Sequence, residues 1–283
     1  MTTDTEWVEK PVQMRTTAPN RHLGDCVFLI EHQTPEGAAR TGTGFLISVA
    51  SSLWGLWGVT ARHVVQEQDR ETGEWLEFVE PLHLRAVTAD GTSSFRKELA
   101  MPGFSYPNMY ALHHDPKVDA AVFPTYSFLD RPEQSKALPS HFLQPDDRVE
   151  VGEDVHLFGF PHRYGYETGR SVVRSGTICF KLSRHMYLLD ANAWPGDSGG
   201  LVCSKPYFGV PEGEPSSWQW QIGGKIIGLQ VAYEPPAALG LAPELEPFRL
   251  VVSAQAVIEI IQSPDFEALA QRAREAAGLG SPR

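Results

Sequence analysis

Residues 194–202 read Trp-Pro-Gly-Asp-Ser-Gly-Gly-Leu-Val, a serine set among glycines just before an apolar segment. Glycine tolerates backbone angles that a Cβ would forbid, so the chain can bend sharply here and present the Ser198 hydroxyl. The same bend can direct the backbone N–H groups of Gly196 and Ser198 at one point, where a developing oxyanion would be stabilised. The segment therefore has the properties of a turn that carries an acyl-transfer nucleophile.

Two upstream segments supply the groups that such a serine needs. Residues 57–65 read Trp-Gly-Val-Thr-Ala-Arg-His-Val-Val, and residues 117–123 read Lys-Val-Asp-Ala-Ala-Val-Phe. A neutral hydroxyl is a poor nucleophile, so His63 would take its proton while Asp119 fixes the imidazole tautomer. Histidine suits this task because its unperturbed pKa of about 6.5 lies near neutral pH.

Together, in the chain order His, Asp, Ser, these segments resemble the trypsin-like (chymotrypsin-fold) serine proteases. They are most similar to HtrA-like bacterial peptidase domains that have no secretion signal and no PDZ domain. The resemblance implies a serine endopeptidase that hydrolyses protein substrates. It implies catalytic roles for His63, Asp119 and Ser198, and an oxyanion hole formed by the N–H groups of Gly196 and Ser198.

The resemblance also implies which residues wall the substrate pocket, namely Asn192, Gln230, Val231, Ala232 and Tyr233. Asn192 stands where trypsin has an aspartate, which argues against a strong preference for arginine or lysine. Tyr233 and Phe248 would narrow the pocket and favour small or medium apolar side chains, whereas Glu234, Glu244 and Glu246 in the same loop could attract basic peptides, so both preferences stay open.

One departure from the secreted trypsins concerns Asp197. Those enzymes bury a newly released Ile-Val-Gly-Gly terminus against this aspartate, and no such sequence precedes Gly42. A buried carboxylate without a partner is costly. Asp197 is therefore expected to find another partner, to stay solvated, or to await a regulatory protein partner.

Other polar residues near Asp119 offer alternatives. Asp115 is a rival acid, but Asp119 is preferred because the apolar segment follows it directly. His113 and His114 lie in a polar loop and are expected to be solvated. Their spacing fits no zinc pattern, and the chain has no Cys-x-x-Cys pair, so neither a metal nor another cofactor is expected.

Short apolar runs between Gly, Pro and Asp turns predict an all-β fold. The resemblance specifies two six-stranded antiparallel β-barrels followed by C-terminal helices, with a protease domain over residues 24–262. The predicted division is an arm at 1–23, barrel one at 24–128, a connector at 129–148, barrel two at 149–252, a closing helix at 253–262, and an extra helix and tail at 263–283.

Composition restricts the partners. The net charge is −11, from 24 basic and 35 acidic residues, which disfavours nucleic acid and anionic membranes as partners. The uncharged stretch at 41–61 contains glycines and polar residues, and is better explained by a hairpin than by a membrane span.

The cysteines and the N-terminus indicate the compartment. Cys26, Cys179 and Cys203 are too few for a disulfide framework. Cys179 and Cys203 could be neighbours on strands of the second barrel, but buried free thiols are the simpler expectation. Residues 1–6 are polar, without the apolar core of a secretion signal, so a cytoplasmic location is expected.

Two other functions share parts of this pattern. A catalytically silent, protease-fold module that binds peptides usually has lost a triad residue, whereas all three are present here. An esterase-like acyl hydrolase shares the chemistry, but the α/β-hydrolases place their triad in a different chain order.

Overall fold

The structure, a computed structural model of the chain, describes residues 21–33, 39–49, 56–69, 72–87, 94–99, 105–125, 137–161, 170–192, 194–205, 207–209, 220–222, 225–231 and 249–276.

The first lobe is a β-sheet flanked by short helices. In chain order its elements are α1 (Arg21–Gly24), β1 (Val27–Gln33), β2 (Ala39–Ser48), β3 (Leu56–Thr60), α2 (Arg62–Val65), β4 (Gln66–Gln68), β5 (Trp75–Phe78), β6 (His83–Val87), β7 (Ser94–Glu98), β8 (Ala111–Leu112), β9 (Ala121–Pro124) and β10 (Leu138–Pro139). The sheet has the order β7-β6-β1-β2-β3-β9-β8, with β10 against β2, and β4 and β5 form a separate hairpin.

Aromatic residues fill the core of this lobe. Phe28, Phe45 and Phe123 are fully buried, and the rings of Phe28 and Phe123 meet edge to face at 6.1 Å. The sheet has eight strands rather than the predicted six. One reason is that the middle of the predicted connector joins the sheet as β10, parallel to β2.

The second lobe is a closed antiparallel barrel. Its elements are β11 (Asp154–Gly159), β12 (Val172–Ser183), β13 (Met186–Asp190), β14 (Leu201–Ser204), β15 (Tyr207–Gly209), β16 (Trp220–Ile222), β17 (Ile226–Gln230) and β18 (Arg249–Ser253). Six of them close in the order β11-β12-β13-β18-β17-β14, while β15 and β16 pair separately. Closure leaves no unpaired strand edge in the barrel. The predicted all-β, chymotrypsin-like architecture is confirmed.

Two helices follow the barrel, α3 (Ala254–Ile261) and α4 (Pro264–Ala276). The Ser263 hydroxyl accepts the backbone N–H of Phe266 at 3.2 Å and so caps α4. The Phe266 ring packs against Trp57 of β3 at 4.4 Å, which fixes α4 to the first lobe. Among the described residues, no helix has the length and apolar character to cross a membrane.

The three cysteines are free thiols, as predicted. Cys26 and Cys203 are buried, whereas Cys179 is half-buried and donates its S–H to the carbonyl of Leu188 at 3.2 Å.

Candidate active site

His63 and Asp119 meet because their strands are neighbours. β3 ends just before α2, which carries His63, and β9 begins just after Asp119. The two strands pair antiparallel, with Thr60 opposite Ala121, so their flanking residues lie at the same edge of the sheet. His63 Nδ1 lies 2.5 Å from Asp119 Oδ2, and the His63 backbone N–H donates to Oδ1 at 2.9 Å.

This contact lowers the pKa of Asp119. Burial alone would raise the pKa of Asp119, but the charge of His63 and its hydrogen bonds outweigh burial and hold the pKa below its ordinary value. Asp119 is therefore a carboxylate near neutral pH. In the tautomer that this contact favours, His63 carries its proton on Nδ1 and donates it to Asp119.

The β4–β5 hairpin is fastened beside this pair. The Trp75 indole N–H donates to the carbonyl of Pro116 at 2.8 Å. The Arg62 guanidinium lies 4.3 Å from the centre of the Trp75 ring, and its Nε donates to Gln66 Oε1 at 2.8 Å. The hairpin thus supports the segment that leads to Asp119.

The turn around Ser198 depends on glycine at two positions. Gly196 and Gly199 have φ angles of +101° and +83°, in the region that disfavours other residues. A Cβ at Gly199 would also lie 2.1 Å from the carbonyl oxygen of Thr43 and 2.2 Å from Thr60 Oγ1. The turn therefore packs directly on the strands of the first lobe.

Thr43 on β2 holds this turn from the opposite lobe. Its backbone N–H donates to the Ser198 carbonyl at 2.7 Å, and its hydroxyl donates to the Gly196 carbonyl at 2.6 Å. The hydroxyl also accepts the Phe160 N–H at 3.2 Å, and Thr60 Oγ1 donates to the Thr43 carbonyl at 2.6 Å. Because Thr60 ends the strand before His63, the Ser198 turn and the imidazole segment share one support.

Two backbone donors remain available in the turn. Within the part of the chain that the structure describes, the N–H groups of Gly196 and Ser198 donate to no protein acceptor. The Gly196 carbonyl is held by Thr43. This arrangement leaves two N–H groups beside Ser198 for an anionic oxygen.

Asp197, for which the sequence identified no partner, pairs with Arg174. It is 2% exposed, and Arg174 of β12 places Nη2 at 2.6 Å from its Oδ2. The Trp194 backbone N–H donates to the same oxygen at 2.7 Å. Arg174 Nη1 also donates to the carbonyl of Asn192. One guanidinium therefore holds both ends of the segment before Ser198.

Neither Thr43 nor Arg174 was predicted from the sequence as part of the site. Thr43 lies in the stretch Gly42–Phe45, whose signal is only that of a strand near glycines. Arg174 is a lone cation in a strand pattern, and nothing in its local sequence indicates a partner.

The expected pocket residues are partly described. Gln230 ends β17, which pairs with β14, and Val231 follows it; both residues are buried. The Gly199 N–H donates to the Gln230 carbonyl at 2.6 Å. Asn192 is exposed. Ala232, Tyr233, Phe248 and the three glutamates of that loop lie outside the described residues.

The other polar residues near Asp119, namely Asp115, His113 and His114, each have a different environment. Asp115 does not contact His63; its Oδ1 caps the Lys117 backbone N–H at 2.9 Å. His114 is exposed, as expected, but the expectation that His113 is solvated was wrong. The His113 side chain is buried because Glu259 of α3 packs against it, 3.1 Å from its Nε2.

Ligand atoms of His113, His114 and Glu259 lie within 4.8 Å of one another, close enough to consider a metal ion. However, the Asp115 backbone N–H donates to His113 Nδ1 at 3.1 Å. The neutral ring therefore carries its proton on Nε2, where it donates to Glu259 and has no lone pair for a metal. The cluster is a hydrogen-bond network.

The same carboxylate also binds the second lobe. His185 Nε2 lies 3.1 Å from Glu259 Oε2, and Arg184 pairs with Oε1. Both residues belong to the turn between β12 and β13. Glu259 thus connects the two lobes with the C-terminal helix.

Comparison with known proteins gives one family and a common fold. Residues 42–206 match the family model described as a trypsin-like peptidase domain. The serine endoprotease from Yersinia pestis superposes with a TM-score of 0.52 and 14% identity over 91% of this chain and 68% of its own. An HtrA-type protease, AlgW, solved with a tripeptide, gives 0.50 and 16% over 85% of this chain.

These structural likenesses concern the fold. The chain spans only 60% of the length of the HtrA-type protease. No curated protein matches the chain.

Proposed function

The chain belongs to the trypsin-like peptidase family, and from this premise we propose that it is a serine endopeptidase with His63, Asp119 and Ser198 as its catalytic residues. The supporting observation is the 2.5 Å contact between His63 Nδ1 and Asp119 Oδ2, beside a Ser198 turn fixed to the strand end that precedes His63.

In the proposed reaction, Ser198 Oγ attacks the carbonyl carbon of a peptide bond while His63 Nε2 takes its proton. The carbonyl oxygen becomes an anion and accepts hydrogen bonds from the N–H groups of Gly196 and Ser198. The intermediate collapses as His63 returns the proton to the leaving amine. Water then repeats the sequence, releasing the acid and restoring the serine.

Asp119 acts through His63 in this scheme. Its carboxylate binds the Nδ1 proton, so Nε2 would be the nitrogen that takes the serine proton, and the carboxylate would stabilise the imidazolium that forms during attack. The lowered pKa of Asp119 supports this role because it keeps the carboxylate ionised.

The pairing of Asp197 supports a site that is ordered without proteolytic activation. A released amino terminus supplies a cation to this aspartate in trypsins, and Arg174 already supplies one here. A protein partner that controls activity would therefore have to act on another part of the chain.

A fluorophosphonate probe, which reacts with activated serines, tests the proposal directly. We expect the wild-type chain to be labelled at Ser198, and the Ser198→Ala and His63→Ala variants to lose labelling and peptide cleavage. Ser105→Ala, at an exposed serine, is the matched control and should keep both.

The outcomes separate the two candidate functions. A folded wild-type chain that binds peptides without reacting with the probe would contradict the enzyme and support the silent binding module. Cleavage of esters but of no peptide in a library would contradict the peptidase.

A further inference from the structure

The side chain of Gln230 is buried without a partner. The residue is 1% exposed. Neither its Nε2 nor its Oε1 makes a hydrogen bond among the described residues. Burying an amide without hydrogen bonds is unfavourable. Such groups are rare in folded proteins, and each needs an explanation.

This amide lies beside the candidate nucleophile. The Gln230 carbonyl accepts the Gly199 N–H at 2.6 Å, and its N–H donates to the Gly200 carbonyl at 2.8 Å. The Gln230 backbone is thus hydrogen-bonded to Gly199 and Gly200, the two residues that follow Ser198. If Gly200 carried a Cβ, that atom would lie 3.0 Å from Gln230 Nε2, so the amide lies against the turn itself.

Substrate must approach the same turn. The carbonyl carbon that Ser198 attacks has to lie about 3–3.5 Å from Oγ. The Cα of the residue before the scissile bond is bonded to that carbon, and its side chain begins at Cβ, two bonds away. This side chain therefore has the reach to meet a group packed against Gly200.

Among the described residues, the turn beside the amide offers no unpaired carboxylate for an ionic side chain. The Asp197 carboxylate, in the same turn, is bound by Arg174 at 2.6 Å and by the Trp194 N–H at 2.7 Å. A lysine or arginine side chain would lose its hydration here without gaining a carboxylate. A purely apolar side chain would leave both amide atoms unpaired.

We propose that the Gln230 carboxamide determines specificity by binding a neutral substrate side chain that both donates and accepts hydrogen bonds, with the carboxamides of glutamine and asparagine as the best match. A carboxamide offers donors and an acceptor, which complement those of Gln230. This inference rests on the proposed peptidase function. It replaces the two preferences that the sequence left open.

The test compares the wild type with Gln230→Met, which keeps the length of the side chain and removes both polar atoms. Both are incubated with peptides that differ only in the residue before the scissile bond, and kcat/KM is measured for each by mass spectrometry. We expect the wild type to prefer glutamine or asparagine over methionine or leucine by about tenfold or more. Gln230→Met should reverse that order, and the exposed Gln271→Met control should not.

Thermal unfolding of the same variants separates recognition from folding. Gln230→Met removes unpaired buried atoms, so it should fold with a Tm equal to or above that of the wild type. Unchanged selectivity in a folded, probe-reactive Gln230→Met overturns this inference alone. Absence of fluorophosphonate labelling at Ser198 overturns the proposed function, and this inference with it.

Discussion

The Arg174 guanidinium lies 2.6 Å from the Asp197 carboxylate, and both side chains are largely buried, at 14% and 2% exposure. Removing one member of a buried ion pair is more damaging than replacing both, because the remaining charge stays in a poorly solvated site. We therefore expect the stability of the segment before Ser198 to depend on both of these charges.

Arg174→Met is expected to lower the free energy of unfolding by roughly 3–5 kcal/mol, because Asp197 stays buried without this cation. Urea denaturation measures the change. Adding Asp197→Asn should restore most of the lost stability, since the uncompensated charge is then gone. A double variant no more stable than the single one would show that charge pairing is not the cause.

Asp119→Asn is expected to reduce kcat by roughly 10⁴-fold with little change in KM, because the amide no longer holds the Nδ1 proton of His63 in place. Steady-state kinetics on a peptide substrate measures the loss. Asp115→Asn is the matched control, since Asp115 caps Lys117 rather than contacting His63. Equal losses in the two variants would contradict the assignment of the acid.

Thr43→Val keeps the shape of the side chain but removes the hydroxyl that binds the Gly196 carbonyl and the Phe160 N–H. We expect a loss of roughly 1–3 kcal/mol in unfolding free energy, from two buried groups left unpaired. Activity should fall mainly through kcat, because the oxyanion donors lose their support. A variant whose KM alone changes would place Thr43 in substrate binding instead.

The pH dependence of stability should report on Glu259. Burial would raise its pKa, but hydrogen bonds from Gln255, His113 and His185 outweigh burial and lower the pKa from 4.5 to about 2. A folded-state pKa below the unfolded one stabilises the protein above pH 4.5, and this contribution is lost as pH falls towards 2.

Glu259→Gln should therefore flatten the dependence of the urea midpoint on pH between 4.5 and 2. Glu267→Gln, at an exposed residue of α4, should leave the wild-type slope unchanged. If the urea midpoints of both variants change with pH as the wild-type midpoint does, the Glu259 network does not contribute to the acid sensitivity of the fold.

The segments that carry the three proposed catalytic residues could be predicted from the sequence alone. His63, Asp119 and Ser198 each lie in a short segment whose glycines or apolar residues indicate a strand end or a tight turn. Antiparallel pairing of β3 with β9 then brings two of these segments together. The all-β class also follows from local patterns, because turn residues recur between short apolar runs.

The remaining features depend on contacts between distant residues. Thr43 and Gly196 are 153 positions apart, and His113 and Glu259 are 146 apart. No local pattern encodes such pairs. This explains why His113 was expected in solvent, and why the cation for Asp197 was not identified. Strand number was misjudged for the same reason, since β10 joins the sheet from the connector.

The ring contact between Trp57 and Phe266 has a consequence for biosynthesis. When the ribosome has completed the strands of the first lobe, the residue that will cover Trp57 has not yet been translated. Glu259, which pairs with residues of both lobes, is likewise translated after the strands of both lobes. We therefore expect the two lobes to reach their final packing only after translation passes α4.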